Sequence, residues 1–322
     1  MDALIELEEV DKAFTVRRKA GWIRRHKTEV RAVDGVSFEI PAGSMVGYIG
    51  PNGAGKSTTI KMLIGILVPS GGRVRVAGRD PSRDRVAVAR RIGVVFGQRT
   101  QLWWDLPLAD SFGLLRHVYR VAEPDHRGRL GELVDLLDMG PFLATPVRQL
   151  SLGQRMRGEL AAALLHDPPI LFLDEPTIGL DVVAKEAVRT FLARLNRERG
   201  TTVLLTTHDL VDVERLCDRL LIIDHGRVIE DSTVDGVKDR YGTERTLIVD
   251  LVEPGGPLAI DGVAVTRVEG PRQWLRFRRD AHTAASVLAQ VSAVAPVRDV
   301  TVEEPAIDDI VRRIYQTVQQ PP

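Results

Sequence analysis

The sequence predicts an α/β protein built on a mostly parallel sheet, and three stretches carry that expectation. The first is Gly50-Pro51-Asn52-Gly53-Ala54-Gly55-Lys56-Ser57, set between an apolar run, Met45–Ile49, and a helix-like segment opening at Ser57. The second is Ile170-Leu171-Phe172-Leu173, a continuous apolar run that ends in Asp174-Glu175-Pro176. A strand buried on both faces reads this way, with its carboxylates at the edge where open α/β sheets bind ligands. The third is the alternation of strand-like and helix-like segments between Ser44 and Ile223, the pattern of a parallel sheet with helical crossovers.

Taken in order, Leu4–Glu8 alternates apolar and polar residues as a half-buried strand does, and Phe14 follows it. A basic segment from Arg17 to Lys27 comes next, with Trp22 inside it. It reads as a solvated surface hairpin, or as a contact for anionic lipid headgroups or nucleic acid. Ala32–Ile40 and Ser44–Ile49 are expected strands around the turn Pro41-Ala42-Gly43. Beyond the glycine-rich loop, Arg73–Ala77 reads as a strand, Val86–Arg91 as a helix and Ile92–Phe96 as a buried strand ending at Gly97-Gln98. Leu106–Leu143 turns helical, with apolar residues at three- and four-residue spacing, and Leu150–Leu165 is a further helix opened by Ser151. After the Ile170–Leu173 strand come a helix at Val183–Arg197, a strand at Thr202–Thr206 followed by His208-Asp209, and a helix at Val211–Cys217. Two strands, Leu220–Ile223 and Val228–Glu230, flank the turn His225-Gly226. Past Tyr241-Gly242 the texture changes to strands at Leu247–Val252, Val263–Val268, Trp274–Arg278 and Val297–Val302, with helices at Ala281–Val291 and Ile307–Val318. The expected division is therefore 1–242 and 243–322, the latter a small α+β unit for binding or dimerisation.

The glycine-rich loop is a phosphate site by its chemistry. Glycines let consecutive N–H groups turn towards phosphate oxygens, and the following helix adds the positive end of its dipole. Lys56 is expected to reach the terminal phosphates, and Ser57 to hold magnesium with Asp174. Glu175 is placed to polarise an attacking water, Gln98 to contact the metal or that water, and His208 to donate to a γ-phosphate. Ser151 with Gly153 makes a second anion-binding helix start, or simply an N-cap.

Composition removes several classes. Lysine plus arginine and aspartate plus glutamate both number 44, so no global charge draws the chain to nucleic acid. The single Cys217 excludes an internal disulfide framework and a multi-cysteine zinc site. The N-terminus, MDALIELEEV, lacks the basic and apolar regions of a signal peptide, and no run is apolar enough to span a bilayer. The expectation is a cytoplasmic protein that would borrow any membrane part from another polypeptide.

The order GPNGAGKST, Gln98, LSLGQ, ILFLDEP, GLD and His208 resembles the nucleotide-binding subunits of ATP-binding cassette transporters over about residues 3 to 240. The resemblance implies a phosphate-loop NTPase fold: an antiparallel N-terminal β-subdomain, a parallel sheet and a helical subdomain at about 100–165. It implies ATP and magnesium as cofactors, bound by Gly50, Pro51, Asn52, Gly53, Ala54, Gly55, Lys56, Ser57 and Thr58. Ser151, Gly153 and Gln154 would bind the γ-phosphate across a head-to-tail dimer, and Asp181 would cross the same interface. Glu175 would be the general base and His208 the γ-phosphate switch. Phe14 matches the aromatic that stacks on adenine, with Tyr48 and Trp22 as lesser candidates. Two departures from the family pattern stand out: Leu152 replaces the usual glycine, and Ile178-Gly179 replaces the commoner Ser-Ala. The stretch Arg99–Pro107, with Trp103 and Trp104, would receive a membrane permease, or the tryptophans pack the helical subdomain. The expected protein is a peripheral ATPase on the cytoplasmic face of the membrane, a homodimer that powers export of drug-like or lipid substrates through separate permeases. A non-transport relative acting on the ribosome or nucleic acid is the alternative. The single phosphate loop, short helical insertion and lone cysteine count against it. A small-molecule kinase would not need LSLGQ or His208.

Overall fold

The computed structural model describes residues 3–20, 24–97 and 99–319, with side chains described at all of these but 16–20, 24–27, 318 and 319. It divides into two compact units, Met1–Ser232 and Thr233–Pro322. The first contains β1 (Ala3–Ala20), β2 (Arg24–Pro41), β3 (Met45–Ile49), α1 (Lys56–Leu63), β4 (Gly71–Val76), α2 (Arg85–Ala89), β5 (Ile92–Phe96), α3 (Leu108–Tyr119), α4 (Glu123–Leu136), α5 (Leu152–Leu164), β6 (Ile170–Asp174), α6 (Val182–Arg199), β7 (Thr202–Thr206), α7 (Leu210–Leu216), β8 (Arg219–Asp224) and β9 (Arg227–Thr233).

Two sheets organise this unit. One is antiparallel, in the order β2-β1-β4. The other has six strands in the order β5-β6-β7-β3-β8-β9, and its first five run parallel. Parallel pairing demands long crossovers. Here α3, α4 and α5 cross from β5 to β6, α6 from β6 to β7, and α7 from β7 to β8. Strands covered on both faces must be apolar throughout. Every residue of β3 and β7 is buried, as are the four of β6 before Asp174. β9 joins β8 through His225 and Gly226, whose φ values of 47° and 81° suit a two-residue hairpin turn. The strand order matters for function: β6, β7 and β3 are neighbours, so the loops leaving their C-terminal ends converge.

The parallel sheet, the N-terminal antiparallel sheet and the helical insertion follow the sequence expectation. The hairpin arms are longer than alternation suggested: after several bulges before Ala13, β1 and β2 keep pairing to Ala20 opposite Arg24. Basic residues with no apolar face give no period-two signal, although the backbone pairing continues. Whether those side chains meet lipid or nucleic acid lies outside the described residues, as does Trp22.

The second unit adds α8 (Val234–Tyr241), β10 (Glu244–Leu251), β11 (Val263–Glu269), β12 (Arg272–Arg278), α9 (Ala284–Val294), β13 (Val297–Glu303) and α10 (Ile307–Gln319). Its sheet runs β11-β12-β10-β13, with every pair antiparallel. Val287 and Val291 of α9 pack on Leu247, Val249, Leu275 and Phe277 of the sheet. The Thr283–Ser286 capping box starts α9 three residues later than the sequence suggested. Nothing in the sequence pattern marks α8, which buries only Val234 and Val237 and is capped by Thr233 accepting from Gly236 N at 3.0 Å. It packs against α10, which places it in this unit, ahead of the Gly242 division read from the sequence. Among the described residues no helix is long and apolar enough to cross a membrane.

Candidate active site

The loop between β3 and α1 is shaped by close backbone approaches that only glycine permits. A Cβ at Gly50 would stand 2.4 Å from the Ile223 carbonyl oxygen, and one at Gly55 would stand 2.4 Å from that of Ala32. Gly55, at φ 110°, is the N-cap of α1, so the helix begins at Lys56 with no side chain over its first amides. Those amides are left for an anion. The Lys56 ammonium donates to Gly50 O at 2.6 Å and Pro51 O at 3.1 Å, which folds the loop around it. Burial lowers the Lys56 pKa, and the carboxylates of Glu175 and Asp174 oppose that shift. A buried ammonium facing two acids is poised to gain from phosphate charge.

Asp174 and Glu175 lie at the end of β6. Asp174 Oδ1 accepts from Thr206 Oγ1 at 2.6 Å, and its Oδ2 accepts from Ser57 Oγ at 3.4 Å. The carboxylate therefore bridges the ends of β6, β7 and α1. A hydroxyl and a carboxylate are hard oxygen donors that fit magnesium. Among the described residues no group of three or more His, Cys, Asp or Glu is arranged for a metal. Glu175 has φ 57°, a left-handed conformation rare for a side chain other than glycine and found at sites where geometry is enforced. Its N–H donates to Thr206 O at 2.9 Å, which fixes that turn. Glu175 Oε1 then lies 2.8 Å from His208 Nε2, beyond the end of β7. Ser57, Lys61, Phe96, Gly97, Asp174 and Glu175 line the cleft.

So the structure brings together the phosphate loop, Lys56, Ser57, Asp174, Glu175 and His208. Gln98 lies outside the described residues; Gly97, before it, donates to Asp174 O at 2.8 Å. Sequence reasoning missed Thr206, whose hydroxyl orients Asp174. A threonine at the last position of a buried strand next to the carboxylate strand was the available signal.

Ser151, Gly153 and Gln154 are not joined to this cleft by any hydrogen bond among the described residues. Ser151 caps α5 in a reciprocal box: its hydroxyl accepts from Gln154 N at 3.2 Å, and its own N–H donates to Gln154 Oε1 at 2.9 Å. Asp181 caps α6 by accepting from Ala184 N at 2.8 Å. These two helix starts are neighbours: a Cβ on Gly153 would be 3.1 Å from Ala184 Cβ, and one on Gly179 would be 2.9 Å from Leu152 Cδ2. The two departures from the family pattern thus compensate. Leu152 occupies the space that an alanine at position 179 would need, and Gly179 leaves it open.

Phe14 is 37 % exposed on β1, with Lys12 Nζ 5.3 Å from its ring centroid. Tyr48 is corrected as a stacking candidate. It is wholly buried, its ring lies 5.7 Å from that of Phe38, and its hydroxyl donates to Thr59 Oγ1 at 3.2 Å. On a strand buried from both faces, no alternation turns it outward. Trp103 and Trp104 are 40 % and 49 % exposed, so they do not pack the helical subdomain as core. The buried Leu102 anchors them, and Arg155 stands 5.9 Å from the Trp104 ring. Glu159 of α5 is buried and accepts from Thr100 Oγ1 and from Gln101 N, which pins the loop ahead of the tryptophans. Burial pushes its carboxyl pKa up.

A family model described as "ABC transporter" matches residues 33–178. The daunorubicin resistance ATP-binding protein DrrA3 of Streptomyces coeruleorubidus is 34% identical over 290 residues, covering 87% of this chain and 90% of the relative. The methionine import ATP-binding protein MetN of Geobacillus kaustophilus (strain HTA426) is 32% identical over 257 residues, covering 78% of this chain and 72% of that one. Among solved structures, a dimeric post-hydrolysis state of the ATP-binding cassette MJ0796 bound to ADP and Pi matches with a TM-score of 0.62 at 27% identity. That match covers 71% of this chain and 98% of the other.

Proposed function

Because the chain belongs to the family of ABC transporter ATP-binding subunits, we propose that its Lys56–Asp174–Glu175–His208 cleft hydrolyses ATP to drive export through separate membrane permeases. The observation that carries the chemistry is Glu175. It sits on a constrained left-handed backbone beside Asp174, with His208 Nε2 2.8 Å from its carboxylate. In that position it accepts the proton of a water attacking the γ-phosphorus. Lys56 exchanges its two loop carbonyls for phosphate oxygens, and His208 turns from Glu175 to the γ-phosphate. Ser57 and Asp174, with Gln98, would hold magnesium, which when bound neutralises charge between the terminal phosphates. Phe14 offers an exposed ring for the adenine.

The helix starts at Ser151 and Asp181 complete a site on a second copy rather than their own. Their mutual packing supports this, as do the exposed Val182 and Val183 directly after Asp181. Trp103 and Trp104, half-exposed and pinned through Glu159 to the α5 helix that Ser151 caps, suit a permease contact. Export is favoured by the drug-resistance relative, which matches over nine-tenths of its own length. On this reading the chain lies peripherally on the cytoplasmic face and contacts no nucleic acid.

The test is purification of the chain from native membranes in mild detergent, with mass spectrometry of its companions. We expect one or two multi-helix permeases and a higher ATPase rate in the complex than alone. Recovery of ribosomes or nucleic acid without membrane protein would leave the ATPase and overturn the transport role.

A further inference from the structure

Behind the cleft, one buried carboxylate gathers the loops that carry it. Asp212, in the first turn of α7, has no exposed surface. Its Oδ2 accepts from the Thr177 hydroxyl at 2.5 Å and from the Thr207 hydroxyl at 3.1 Å. Its Oδ1 accepts from Arg189 Nε at 2.6 Å and lies 2.5 Å from Arg189 Nη2. Thr177 follows Glu175 in the turn after β6, Thr207 directly precedes His208, and Arg189 lies along α6, the helix that Asp181 caps. Arg189 also donates to Asp209 Oδ2 at 3.2 Å, and the same oxygen takes Lys185 Nζ at 2.6 Å. Two cations of α6 thus hold two anions that follow His208 in the chain.

Burial opposes the charge on Arg189, but the carboxylates of Asp212, Asp209 and Glu186 outweigh it and raise its pKa. Asp212 and Arg189 are buried and bonded to each other, while Asp209 and Lys185 sit at the partly exposed edge of the cluster. Such a pair contributes little net stability over an apolar pair of similar volume, because desolvation offsets the attraction. What it supplies is fixed geometry: directional bonds from a single residue to the turns after β6 and β7 and to the α6 helix.

We propose that Arg189 and Asp212 are positioning residues for hydrolysis, which lock the Glu175, Asp181 and His208 loops into one body. Placement of Asp181 at a partner copy and of His208 against Glu175 then become a single event. The inference rests on the reading of Glu175 and His208 as the site of hydrolysis, and it adds the linkage between that site and the α6 helix.

The test compares full-length wild type with Asp212→Asn, Arg189→Lys and the apolar double variant Arg189→Met/Asp212→Leu, measuring kcat, KM for ATP and thermal midpoint. Asp212→Asn keeps the shape and removes the charge. It should lower kcat by about tenfold to a hundredfold with KM within about twofold, because the phosphate loop is untouched. Arg189→Lys, which keeps the positive charge, should lose less than Asp212→Asn. The double variant should regain the wild-type melting temperature but not kcat. Full kcat in the double variant, or a KM that rises as far as kcat falls, would overturn the proposal. If wild type itself failed to hydrolyse ATP, the site reading would fall; normal wild-type turnover with unimpaired variants would sink this inference alone.

Discussion

Replacing Lys56 by alanine is expected to weaken ATP binding by about 3 kcal/mol, roughly a hundredfold in Kd. The loss is large because the ammonium is buried, faces Glu175 and Asp174, and sits inside a loop built from backbone amides. Removing it takes away charge-assisted bonds to the terminal phosphates and leaves the two acids facing the nucleotide without compensation. The fold itself should survive. Among the described residues the Lys56 ammonium bonds only to the carbonyls of Gly50 and Pro51, while Gly55 and Thr59 keep the helix start in place through the Thr59 N to Gly55 O bond at 2.9 Å. Titration calorimetry of wild type and variant with Mg-ATP measures the difference. An affinity within a factor of about two of wild type would remove Lys56 from the phosphate site.

Exchange of Glu175 for glutamine is the complementary case, in which binding persists and turnover stops. Glutamine keeps the volume, can hold the left-handed backbone as glutamate does, and can still accept from His208 through its amide oxygen. It cannot take a proton. We expect kcat to fall by about a hundredfold or more while the Kd for ATP changes little. With hydrolysis blocked, ATP should hold two copies together, and the dimer should appear by size-exclusion chromatography in Mg-ATP but not in ADP. A Glu175→Gln variant that turned over at the wild-type rate would assign the base elsewhere.

The pattern of what could be read from the sequence has a physical basis. The phosphate loop, β6 with its two acids, and His208 after β7 were legible because each is a local strand-to-loop transition whose residues do their chemistry where the strand ends. The arms of β1 and β2 were not, since a basic run without an apolar face carries no periodic signal. Neither was α8, a short polar helix whose two buried valines are too few to set a period. Tyr48 was misread because an all-buried strand has no outward face, and an aromatic ring near the loop is no guide to its direction. The strain at Glu175 and the bond from Thr206 to Asp174 belong to the tertiary structure. Arg189 and Asp212 left a faint trace: Arg189 falls on the buried stripe of α6 with Val188, Leu192 and Leu195, where a solvated charge would not sit.

Compensation between Leu152 and Gly179 shows the same limit from another side. Each position alone is a departure from the family pattern, and only their contact shows why the pair is tolerated. It also ties the Ser151 helix start to the loop carrying Asp181, the two elements that would face a partner together.

On the proposed reading Ser151 serves the phosphate loop of a second copy, and the buried, lone Cys217 makes a direct test feasible. In a Cys217→Ser, Glu175→Gln background, cysteines are placed at Asn52 and Ser151, and a short bis-maleimide is added with and without Mg-ATP. A covalent dimer of twice the 35.6 kDa chain is expected, forming with ATP and needing both cysteines. Cross-linking that stays within single chains, or no dimer at any ATP concentration that saturates binding, would contradict it.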